Sequence, residues 1–181
     1  LRDVSKNTAL LPPSFGSPQV LQTNSGTVID AITNAASDIT QTISLNITAT
    51  ETGSLLYADG TLGTLTIPKI GLNVKVYDGE NNLSKGVGHF TDTAVFTGNV
   101  AVAGHNRGVN SYFGEIHHLK VGDEITYTTK LGTKKYAVTS VRKINAADFS
   151  FLRETQDNRL TLITCVKNEP NFRWCVQARE K

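Results

Sequence analysis

The chain has 181 residues, 39% of them hydrophobic, and a formal net charge of +2, which allows one cored domain with an appendage. Its Lys and Arg residues are scattered, with Lys134-Lys135 and Arg142-Lys143 the only adjacent pairs, so no phosphate-tracking surface and no nucleic-acid partner is expected. Two cysteines are too few for a disulfide framework, and no stretch approaches the roughly 18 consecutive apolar residues of a membrane span.

Residues 1–54 differ in character from the rest. They hold six charged residues, Arg2, Asp3, Lys6, Asp30, Asp38 and Glu51, and are rich in Ser, Thr and Asn, a composition that buries little by itself. Ile29, Ile32, Ala36, Ile39 and Ile43 recur at helical spacing, and Thr27 followed by Asp30 resembles a capping box. The pattern predicts a helix near Val28 to Asp38 within an otherwise extended arm, weakened by its β-branched residues. The chain contains no Met, so it is expected to be a trimmed or processed piece, with any membrane tether preceding Leu1.

From Leu55 onward, short apolar runs are separated by Gly, Asn and Asp, the pattern of an all-β domain spanning 55–181. Strands are predicted at Leu62 to Pro68, Val74 to Tyr77, Val100 to Ala103, Glu124 to Thr129, Lys134 to Arg142, Leu160 to Cys165 and Arg173 to Arg179. Short helices are predicted at Tyr112 to His118 and Ala146 to Leu152. Seven strands and an eighth not visible in the pattern suit a closed barrel, which has no exposed edges.

Three chemically capable side chains fall at strand ends. The run Leu160-Thr161-Leu162-Ile163-Thr164-Cys165, the turn signal Asn168-Glu169-Pro170-Asn171 and a second run opening at Arg173 read as a hairpin that sets Cys165 beside Arg173. Val100 to Ala103 leads through Gly104 into His105. Cys165 reads either as a nucleophile or as a buried structural thiol. His105 reads as a general acid and base, or as a satisfied loop residue. Arg173 reads as an oxyanion stabiliser and substrate clamp, with Arg179 as the runner-up. No His, Cys, Asp or Glu cluster has metal-ligand spacing, so neither metal nor cofactor is expected.

The Thr161 to Cys165 pentapeptide, Ala103-Gly104-His105-Asn106 sixty residues earlier, Arg173, Thr64 to Ile70 and Gly86-Val87-Gly88-His89 together resemble a sortase, a surface-anchored cysteine transpeptidase of Gram-positive bacteria. The match spans about Leu55 to Glu180, and the short cysteine-to-arginine spacing is most similar to class D. The resemblance implies an eight-stranded barrel with Cys165, His105 and Arg173 as the catalytic set. It implies cleavage of a Leu-Pro-x-Thr type signal on surface proteins or pilins, and transfer of the acyl group to an amine such as a peptidoglycan precursor or a pilin lysine. A peptidase with water as acceptor and a non-catalytic surface module are the rivals. The implied location is the outer face of the cell membrane.

In sortases the segment matching Asn145 to Asn158 receives the signal's Leu-Pro, which points to Phe149 and Leu152 as substrate-binding residues, or equally as a cap on the barrel. Thr164, beside the nucleophile, is carried with them. His89 reads as substrate contact or as loop packing. Cys175, two residues past Arg173 on the same strand face, is expected to be a free thiol, with an inhibitory redox bridge to Cys165 as the alternative. Leu11-Pro12-Pro13-Ser14-Phe15-Gly16 resembles a sorting signal with Ser for Thr and Phe for Gly, and reads as an occupant of the groove or as a polyproline-like linker.

Overall fold

The structure, a computed structural model, describes residues 54–181. The predicted helix near Val28 to Asp38 and the Leu11 to Gly16 segment lie outside the described residues.

Eight strands close into a barrel. They are β1 (Thr61–Ile67), β2 (Leu72–Asp78), β3 (Val87–His89), β4 (Asn99–Ala103), β5 (Glu124–Thr129), β6 (Gly132–Asn145), β7 (Arg159–Val166) and β8 (Glu169–Glu180), neighbouring in the order β1-β2-β3-β4-β7-β8-β6-β5 and back to β1. The β2–β3 and β4–β7 pairs are parallel and the rest antiparallel. The strand that the pattern did not reveal is β3. With three residues, one of them Gly88, it offers almost no alternation to read.

Inner side chains from every strand meet in one core, including Leu62, Leu65, Val76, Val87, Val102, Ile125, Tyr136, Leu162 and Val176. On β7 the alternation expected of a half-buried strand is absent: Leu160 through Thr164 are all buried, Cys165 is exposed, and Val166 is buried again. Strands covered on both faces read as unbroken apolar runs. A second cluster supplies the outer cover, with Phe151 packed on Ile163 and Cys175 and flanked by Phe90, Ile144 and Leu152. That cover stops short of Cys165.

Two predicted helices shrink to single 3₁₀ turns, Ile116–His118 and Ser150–Leu152. A single tight turn with no longer run behind it is the common form of such connectors. The hairpin turn also falls earlier than its signal suggests. Lys167 and Asn168 form it, with Asn168 at a φ of 64°, a left-handed conformation that Asn tolerates better than most residues. Strand β8 therefore begins at Glu169, and Arg173 lies within it rather than opening it. Pairing with β7 jumps from Cys165↔Arg173 to Val166↔Glu169. The intervening Pro170, Asn171 and Phe172 bulge away from β7, where proline's missing N–H breaks no ladder bond.

Candidate active site

The barrel topology brings the three predicted groups to one end. The parallel pairing of Ala103 with Ile163 places the segment after β4 beside the end of β7. Gly104 N–H donates to the Ile163 carbonyl at 3.1 Å, and the Thr164 hydroxyl donates to the Gly104 carbonyl at 2.7 Å. Two residues past Gly104, the Asn106 side-chain amide donates to the Cys165 carbonyl, and Phe113 N–H donates to the His105 carbonyl at 2.9 Å. The backbone of His105 is thus tied to β7 on one side and to its own returning loop on the other. Gly104 is the residue this requires, because a Cβ there would lie 2.7 Å from the buried Phe113 ring.

Across the hairpin, Cys165 pairs directly with Arg173. Residues directly opposite share a sheet face, so thiol and guanidinium stand together on the outer side. Arg173 Nη1 donates to the carbonyls of Pro170 and Phe172, each at 2.8 Å. The bulge that displaces those residues therefore also anchors the guanidinium. His105, Asn106, Arg107, Cys165, Val166, Pro170 and Arg173 line a single cleft of about 320 Å³. Its charged lining groups are cationic, with no carboxylate among them.

Sequence reasoning did not single out Asn106 or Arg107. The first entered only as the last residue of the Ala103 to Asn106 motif, and its contact with β7 was not foreseen; the second is legible only through the cleft it lines. Arg179, the alternative to Arg173, pairs with Arg159 at the far end of β7 and forms an ion pair with Asp157 at 2.6 Å.

The remaining predicted contacts divide. Phe149 is 62% exposed and Leu152 half-buried, both on the connection that covers β7. Thr164 instead faces inward, 3% exposed, with its hydroxyl committed to Gly104. It faces the opposite way from its neighbour Cys165 because side chains alternate along a strand. His89 is 1% exposed: Nδ1 meets Asp78 Oδ1 at 3.0 Å and Nε2 meets the Ala94 carbonyl at 3.0 Å. Both ring nitrogens are engaged within the fold. Among the described residues no group of three or more His, Cys, Asp or Glu side chains is placed to hold a metal ion.

Both cysteines are free, Cys165 exposed and Cys175 buried. Burial pushes the Cys175 thiol up to about 11, partly offset by Arg142. The unfolded chain, with a thiol near about 8.5, ionises first on raising the pH, so this contribution to stability is present below about 8.5 and fades as the pH approaches 11. Cys175→Ala is expected to flatten the loss of stability between pH 8 and pH 10.5 by about 2 kcal/mol, read from urea midpoints. Tyr127 and Tyr136, also raised by burial, add to the slope equally in both proteins. An identical slope in the variant would contradict this assignment.

An exposed thiol, an imidazole and a guanidinium sharing one cleft at the end of a closed barrel are the parts needed for thiol-based acyl chemistry. The family model of the sortase domain matches residues 65–181. The chain belongs to the sortase family. It is 34% identical over 113 residues to sortase A of Listeria monocytogenes, covering 60% of this chain and 51% of that one. It is 31% identical over 121 residues to sortase A of Bacillus anthracis, covering 65% and 58%. The chain thus spans little more than half the length of these relatives. Among solved structures, sortase C1 of the Group B Streptococcus pilus island 1 superposes with a TM-score of 0.65 at 24% identity, covering 70% of this chain and 66% of that one. Sortase C-1 from Streptococcus pneumoniae does so with 0.65 at 25%, covering 70% and 69%. The named relatives are of classes A and C, so the class D resemblance stays a proposal.

Proposed function

We propose that the chain is a cysteine transpeptidase that cleaves a Leu-Pro-x-Thr type sorting signal and passes the acyl group to an amine. The observation that carries this reading is the placement of Cys165: it is the exposed residue at the end of a strand covered on both faces, opposite Arg173 and in one cleft with His105. In the reading, Cys165 Sγ attacks the threonine carbonyl carbon. A carbon–sulfur bond forms, the carbon–nitrogen bond breaks, and His105 protonates the departing amine. An incoming amine then attacks the thioester, the new amide forms, the thiolate leaves, and the proton lost by the amine goes to His105. Arg173 stabilises the oxyanion in both halves. Phe149 and Leu152 belong to the surface that receives the signal. His89 and Thr164 act by holding the fold.

The substrates would be surface proteins or pilins bearing the signal, and the acceptor a peptidoglycan precursor or a pilin lysine, at the outer face of a Gram-positive membrane. No helix among the described residues is long and apolar enough to cross a membrane. Mass spectrometry with a library of Leu-Pro-x-Thr peptides, with and without an added amine, tests the proposal. The expected result is a Cys165-bound acyl group and an amide product that forms only with the amine. Hydrolysis unaffected by the amine would identify a peptidase. No adduct and no selective labelling of Cys165 would identify a non-catalytic module.

A further inference from the structure

We propose that Asn99 is a positioning residue for signal binding, because its buried carboxamide clamps the β6–β7 connection onto the outer face of the barrel. The inference rests on the transpeptidase reading above. Asn99 is 3% exposed. Its Nδ2 donates to the carbonyls of Phe151 at 2.7 Å and Arg153 at 2.9 Å, and its Oδ1 accepts from the Thr161 hydroxyl at 2.8 Å. Thr161 is itself fully buried on β7. The amide has one possible orientation, since only its NH₂ end can face two carbonyl oxygens. A buried amide in this setting costs free energy unless each partner is present. Further along the same outer face, Gln177 reaches the Thr161 hydroxyl at 3.5 Å and Arg142 reaches Gln177 at 3.3 Å. Strands β4, β7, β8 and β6 each contribute to this polar row.

The clamped turn carries Phe151, which lies on Ile163 and Cys175 and meets Phe90 edge-on at a centroid distance of 5.8 Å. Ile163 shares its strand face with Cys165 two residues away, about 7 Å along the strand. An extended peptide whose scissile carbonyl sits at Cys165 covers the same distance in about two residues. The apolar residues just ahead of the cleaved bond therefore fall on the shelf that Asn99 holds in place. Asn99 touches neither the cleft nor the reacting atoms. Its effect is on how well the shelf is formed before the peptide arrives, which appears in KM rather than in kcat.

Asn99→Asp keeps the volume and turns a carboxylate oxygen toward the two carbonyls. For a Leu-Pro-x-Thr peptide, KM is expected to rise about tenfold, because binding must then order a turn that the lost carboxamide bonds no longer hold in place. With it, kcat should stay within about twofold and Cys165 should be alkylated by iodoacetamide at an unchanged rate. Tryptic cleavage after the exposed Arg153 should accelerate about tenfold in the folded variant, as the turn opens more often. Thr161→Val removes only the hydroxyl that orients the amide, and a rise in KM of about threefold is expected. It carries the test if Asn99→Asp does not fold. Unchanged KM and unchanged cleavage at Arg153 would overturn the clamp, as would a fall in kcat matched by slower alkylation. Wild-type protein that forms no acyl intermediate would instead overturn the transpeptidase reading, while tryptic cleavage would still report on the clamp.

Discussion

Cys165→Ala is expected, under the proposed mechanism, to abolish transfer, by on the order of 10⁴-fold or more, because removing the proposed nucleophile ends the covalent route rather than slowing it. The fold should be unaffected. Cys165 is exposed while its neighbours Thr164 and Val166 are buried, so truncating it removes no core contact and should change stability by less than about 0.5 kcal/mol. Nor can the second thiol take over. Cys175 is fully buried beneath Phe151, and its raised pKa keeps it a neutral thiol at working pH, whereas the thiolate is the nucleophile. The measurement is amide product per minute with saturating peptide and amine, together with the mass of the trapped acyl-enzyme. A variant that still turns over at a hundredth of the wild-type rate would place the nucleophile elsewhere.

The strands legible in the sequence were those with apolar runs or alternation over four or more positions. Their predicted ends fall within three residues of the observed ones for β1, β2, β4, β5, β6 and β7. What stayed hidden depended on contacts between segments far apart in the chain. Strand β3 forms because Val87 and His89 pair with β2 on one side and His89 with Val102 on the other, a relation that three residues cannot announce. The start of β8 was obscured by Pro170, which ordinarily argues against a strand and here occupies a bulge. For the site, the pairing of Cys165 with Arg173 followed from two apolar runs joined by a turn. The burial of His89 and Thr164 did not, because it depends on Ala94, Asp78 and Gly104 arriving from other strands and loops. Asn99 gave no sign at all: an Asn opening a strand has many possible uses, and its two carbonyl partners lie 52 and 54 residues away.

Under the proposed mechanism, Arg173→Lys is expected to lower kcat about 10²- to 10³-fold, the loss that follows removal of one oxyanion donor, while KM changes by no more than about threefold. Charge is retained, so the loss must come from shape. The arginine uses Nη1 to bind the carbonyls of Pro170 and Phe172, so in the proposed mechanism the oxyanion takes its donors from Nη2 and Nε. Those two roles can be filled together because the planar guanidinium fixes its donors in divergent directions. A lysine ammonium would be drawn to the same two carbonyls and would then stand as a compact charge with no second arm. Arg179→Lys is the matched control: its ion pair with Asp157 at 2.6 Å lies at the other end of the hairpin, so its rate should stay within about twofold of wild type. If Arg173→Lys ran at the wild-type rate while Arg179→Lys failed, the oxyanion donor would be the other arginine. The cleft would then have to open toward the far end of β8, carrying Cys165 away from the partner it faces in register.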